Sequence, residues 1–224
     1  MPRNARVDIG NEIYHVINRA VGRTQIFNKP KDYQLFEELL FDAQETVNMR
    51  MLAYVIMPNH WHLLLYPKQD GDMSTFMHRL TNKHTRQVHV QTKTIGHGPL
   101  YQGRYKSFVV DSDAYYLSLI KYIERNPVRA KLTDKCEDWQ WGSAWRRSQG
   151  EKPTQKLLDE LPQDLPEHYQ SWINTSEQES ELEQIRQCIN KGAPYGRETW
   201  VEMMIKEHHL ESTQRAGGRP RKTN

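Results

Sequence analysis

Met57-Pro58-Asn59-His60-Trp61-His62-Leu63-Leu64-Leu65-Tyr66 is the stretch on which the fold turns. Pro58-Asn59 breaks the chain, and residues 60–66 read as a strand. Side chains alternate across a strand, so His60 and His62 project to one face and Trp61, Leu63 and Leu65 to the other. Residues 51–57, before the break, read as a second strand, so the two form a hairpin. Towards the N-terminus, Asn28-Lys29-Pro30 opens a helix with an apolar stripe of Phe36, Leu39, Leu40, Ala43 and Val47. Ahead of it, Ile13, His15 and Ile17 alternate with Tyr14, Val16 and Asn18 as a first strand. Beyond the hairpin, Gly71-Asp72 and Ser74 precede a helix over 74–90. A Gly-containing loop covers 93–103 and a strand 105–110. Asp111-Ser112-Asp113 then supplies an N-cap for a helix that Pro127 is expected to stop.

The order β-α-β-β-α-β-α fits an α+β fold: an antiparallel sheet of the split βαβ, ferredoxin-like kind with helices packed on it. Residues 1–130 form this domain. Residues 131–214 read as a helical extension packed on it, with Trp139, Trp141 and Trp145 as a hydrophobic clamp. Residues 215–224 read as a basic, flexible tail. Six Trp, eleven Tyr and five Phe supply bulk for a real core. Two cysteines far apart exclude a disulfide scaffold and a cysteine zinc site. No apolar run approaches the roughly twenty residues of a membrane span, and no signal peptide is evident, so a soluble, cytoplasmic protein without a membrane partner is expected.

Charge is unevenly spread over the net +3. Residues 1–130 carry 17 basic against 12 acidic side chains, and residues 131–214 carry 10 against 16. The tail holds Arg215, Arg219, Arg221 and Lys222 with no acid. A basic front and tail around an acidic middle suit a polyanionic partner.

Two imidazoles on adjacent same-face positions can ligate one divalent cation and leave positions open for substrate oxygens. With its flanks, 57–64 resembles the His-hydrophobic-His (HUH) motif of single-tyrosine transposases. Three further stretches resemble the REP-associated tyrosine transposases: Gly98-Pro99-Leu100-Tyr101-Gln102-Gly103-Arg104-Tyr105-Lys106, Tyr122-Ile123-Glu124-Arg125-Asn126-Pro127-Val128-Arg129-Ala130, and Trp141-Gly142-Ser143-Ala144-Trp145. All four occur in the family's order.

The resemblance implies a metal-dependent endonuclease that cuts, and rejoins, hairpin-forming palindromic single-stranded DNA through a 5′-phosphotyrosine. His60 and His62 would hold Mg²⁺ or Mn²⁺, and the protein would act as a monomer or homodimer. Tyr115 is the expected nucleophile, because the first turn of a helix favours a phenolate and a phosphate. Tyr116 shares a face with Leu119, Ile120 and Ile123 and reads as core. Tyr122 is the alternative. In the family a Gln four residues after the tyrosine is the third metal ligand; that position is Leu119 after Tyr115 and Asn126 after Tyr122. Arg104, Lys106 and Arg129 are expected phosphate contacts, as are Arg219, Arg221 and Lys222 of the tail. A non-catalytic module that binds hairpin DNA or RNA on the same type of sheet is the other reading.

Overall fold

The computed structural model describes residues 7–112, 114–149 and 156–214. The expected cap at Asp113 and the tail residues Arg219, Arg221 and Lys222 lie outside them. Four strands, β1 (Ile13–Arg19), β2 (Arg50–Met57), β3 (His60–Tyr66) and β4 (Lys106–Val110), form one sheet in the order β2-β3-β1-β4. Every neighbouring pair is antiparallel. This is the expected α+β, ferredoxin-like arrangement: β1 and β2 flank β3, and the connection between them is a helix.

That helix is α1 (Pro30–Val47), entered at Lys29 with Pro30 in its first turn and Asp32 accepting from the amides of Asn28 and Lys29. A proline there removes only an amide that the helix would leave unpaired. With α2 (Asp72–Thr92), α1 covers one face of the sheet. Tyr14, Val16, Trp61, Leu63, Leu65, Phe36, Leu40, Phe76 and Leu80 are buried there. Behind Trp61 runs a buried polar chain: the indole N–H donates to the Tyr101 hydroxyl at 3.1 Å, which lies 2.6 Å from His84 Nδ1.

His84 is fully buried and its Nε2 has no partner among the described residues. Burial lowers its pKa to about 3. The unfolded chain therefore takes a proton below pH 6.5 that the native state refuses, and stability falls as pH drops from 6.5 towards 3. One such histidine contributes a slope of about 1.4 kcal/mol per pH unit. Chemical denaturation of a His84→Phe variant between pH 6.5 and 4.5 should show a shallower loss by that amount. An unchanged slope would show that His84 is not buried neutral.

The opposite face carries α3 (Ala114–Glu124), whose Tyr116, Leu119, Ile120 and Ile123 pack on Ile13, Val55, Leu64 and Phe108. As expected, α3 stops short of Pro127, at Glu124. After a break at Arg125, a further turn, α4 (Asn126–Arg129), holds Pro127 in its first turn. The Asn126 side-chain amide donates to the carbonyls of Tyr122 at 3.0 Å and Ile123 at 3.1 Å. In an unbroken helix Ile123 would accept from residue 127, which as proline has no N–H. Asn126 replaces that donor, so the chain turns on without an orphaned carbonyl.

Beyond residue 130 come α5 (Ser143–Ser148), α6 (Tyr169–Asn174), α7 (Glu179–Lys191) and α8 (Glu198–Glu207). Trp139 donates its indole N–H to Ile56 O at 3.0 Å, Ile56 N donates to Trp141 O at 2.9 Å, and Trp141 stacks on Tyr33 at 4.8 Å. These tryptophans fasten the segment to β2, whose outer edge would otherwise stand open. On the other edge Tyr195 N donates to Val109 O at 3.0 Å.

Candidate active site

His60 and His62 are placed by β3 and held in register by its neighbours: Arg19 and Met57 lie opposite His60, Ile17 and Val55 opposite His62. The turn that aims them is anchored. Pro58 O accepts from the amides of Ile26 and Phe27, and Asn59 O from Ala20 N. At the end of β1, Gln102 N donates to Arg19 O at 2.9 Å, which brings the loop before β4 alongside. A cavity of about 590 Å³ opens between these parts. His60, His62, Tyr122 and Asn126 line it together with Arg19, Arg104, Lys106 and, from α7, Arg186.

The proton on His60 is fixed by its neighbour. Asn59 Nδ2 donates to Arg23 O at 3.0 Å, which turns Asn59 Oδ1 to His60 Nδ1 at 2.7 Å. An amide oxygen only accepts, so Nδ1 carries the hydrogen and Nε2 keeps a lone pair. Burial, with Arg19 beside it, lowers the His60 pKa to about 4. Burial likewise drives His62 well below the usual imidazole value, aided by His15 and His60. Both rings are neutral at physiological pH, as a ligand must be.

Tyr122 and Tyr115 share a face of α3 but stand seven residues apart, roughly 10 Å along the axis. The structure puts only Tyr122 with the histidines: its ring is 5.8 Å from that of His62, edge to face. Tyr115 faces separate cavities and meets Tyr195 edge-on at 5.1 Å. Burial raises the Tyr122 pKa, and Arg129, Arg186 and Arg19 oppose that rise. The Arg129 guanidinium sits 4.3 Å over the Tyr122 ring and donates to its carbonyl at 2.5 Å.

Of the expected phosphate contacts, Arg104 and Lys106 line the cavity. Arg129 is instead largely buried and paired with Glu177, which also holds Arg125 at 2.6 Å. Arg19, Asn59 and Arg186 are site residues that the sequence did not single out. Asn59 was marked only by its place beside His60.

For a cation, the donors present are two neutral imidazoles and the Asn126 side chain, whose Nδ2 is spent on helix carbonyls and whose Oδ1 remains. Among the described residues no group of three or more His, Cys, Asp or Glu converges on one point. Two imidazoles and one amide oxygen suit a divalent cation, held weakly and with positions left open.

The family model for IS200-like transposases matches residues 9–126, just over half of the chain. Comparison with curated proteins finds no match. Among solved structures, that of a REP-associated tyrosine transposase bound to a REP hairpin superposes with a TM-score of 0.57 at 18% identity. The overlap covers 74% of this chain and 99% of that one, a likeness of fold. A Deinococcus radiodurans protein assigned as a transposase gives a TM-score of 0.38 at 21% identity, over 55% of this chain and 97% of that one. The matched segment spans all four strands and both cavity histidines, and ends at Asn126, four residues after Tyr122; the chain belongs to the IS200-like transposase family.

Proposed function

We propose that the chain is a metal-dependent tyrosine endonuclease and transposase that cuts hairpin-forming single-stranded DNA. One observation carries this reading: the histidine pair, a buried tyrosine ring and four cationic side chains line a single cavity. The hairpin as substrate follows from the REP hairpin bound in the structure of similar fold.

Tyr122 is the nucleophile in this reading. Its Oη forms a bond to the scissile phosphorus and the bond from phosphorus to O3′ breaks, which leaves a 5′-phosphotyrosine and a 3′-hydroxyl. Rejoining is the reverse attack by a 3′-hydroxyl. His60 Nε2, His62 and Asn126 Oδ1 would hold Mg²⁺ or Mn²⁺, which when bound polarises the phosphate and offsets transition-state charge. Arg19, Arg104, Lys106 and Arg186 bind and orient the phosphates. Arg129, buried against Tyr122, supports a phenolate at the point where burial alone would oppose it.

The test is a denaturing gel of the protein with labelled hairpin DNA. A covalent adduct should form with Mg²⁺ or Mn²⁺, and should not form when EDTA is present from the start or in a His60→Ala, His62→Ala double variant, which still binds the hairpin. Full adduct formation by the double variant would refute the reading. A module that only binds DNA would give no adduct under any condition.

A further inference from the structure

His15 lies on β1 with its side chain wholly buried, opposite Leu64 and Phe108 in the two strand pairings. Its ring stacks on His62 with centroids 5.0 Å apart, rests against Phe108 at 5.0 Å and meets Tyr122 edge-on at 6.2 Å. Its Nε2 sits 2.8 Å from His62 Nδ1. Its Nδ1 is buried without a partner among the described residues.

The two cavity histidines are thus supported by chemically different neighbours. For His60 the neighbour is an amide oxygen, which admits one proton arrangement. For His62 it is an imidazole, and either ring can supply the hydrogen in the 2.8 Å contact. If His15 Nε2 donates, His62 must carry its own hydrogen on Nε2, and that nitrogen has no lone pair to offer. If His62 Nδ1 donates, His62 Nε2 is open, and His15 carries its hydrogen on Nδ1. Among the described residues His15 Nδ1 has no partner, so no second hydrogen bond ties the ring to either arrangement. Packing against Phe108 holds the ring where its Nε2 meets His62.

We propose that His15 is a positioning residue for the metal site: its Nε2 accepts from His62 Nδ1–H and fixes His62 with Nε2 free for the cation. This rests on the metal reading given under Proposed function. A partner that orients a ligating histidine typically contributes 10–100-fold in metal affinity.

Mn²⁺ binding to the full chain, followed by loss of the free-ion electron paramagnetic resonance signal, tests it without reference to cleavage. A Gln amide places an acceptor near the position of His Nε2, whereas an Asn amide reaches only the position of Nδ1. His15→Gln should bind Mn²⁺ within about threefold of the wild type, and His15→Asn about 10–100-fold more weakly. Equal affinity of His15→Asn and wild type overturns the role of His15. If both variants lose affinity, ¹⁵N spectra of the metal-free wild type decide: a hydrogen on His62 Nδ1 supports the proposal, and one on His15 Nε2 overturns it. A wild type that takes up no Mn²⁺, or a His62→Ala variant that binds as well as wild type, removes the metal reading itself and the proposal with it.

Discussion

Tyr122→Phe should abolish the covalent DNA adduct while leaving hairpin affinity within about twofold, and Tyr115→Phe should leave both intact. The substitution removes one oxygen from a ring held by Arg129 above it and His62 beside it, so the fold has no reason to change. Losing a nucleophile that acts with its neighbours as a unit lowers chemistry by several powers of ten. Tyr115 has no comparable surroundings. Its ring meets Tyr195, and it lines other cavities than the one that holds the histidines. A denaturing gel of both variants with the same labelled hairpin separates them. An adduct that survives Tyr122→Phe and disappears in Tyr115→Phe would return the role to Tyr115.

The alternation in 57–66 was enough to read β3, its hairpin with β2 and the common face of His60 and His62. Alternation is a local property, set by strand geometry. Which tyrosine stands beside the histidines was not legible in the same way. Tyr115 and Tyr122 lie on one helix face, and the merits of a first turn are local, but the helix crosses β3 so that its C-terminal half meets the histidines. That crossing is a tertiary fact with no signature in spacing. Pro127 marked the end of α3 correctly, but the further turn that follows was not legible, because it depends on Asn126 supplying the missing donor through its side chain. Arg129 read as a phosphate contact because its partner, Glu177, is 48 residues away. Arg186 belongs to a helix outside the family match and reaches the cavity only through packing.

Glu177→Ala should destabilise the protein by about 3–5 kcal/mol, the usual cost of removing one partner from a buried ion pair. Its carboxylate is almost wholly enclosed and holds two guanidiniums, Arg125 at 2.6 Å and Arg129. Arg125 also donates to Ile173 O at 3.1 Å, so the pairings tie the segment before α7 to the turn that follows Tyr122. Without Glu177 both cations stay buried with no opposite charge in place. At this chain length each kcal/mol moves Tm by about 2–4 °C, so the drop should be roughly 6–20 °C. Glu179→Ala is the control. Glu179 pairs with Arg186 at 2.7 Å, but its side chain is 77% exposed, and exposed pairs contribute about 0–1 kcal/mol. Equal stability of the Glu177 and Glu179 variants in urea denaturation would show that the buried pairing is dispensable. Because Arg129 sits over the Tyr122 ring, Glu177→Gln, which keeps the shape and removes the charge, should slow adduct formation more than it weakens hairpin binding. A variant that loses both in proportion would show that Glu177 supports the fold alone and not the setting of the tyrosine.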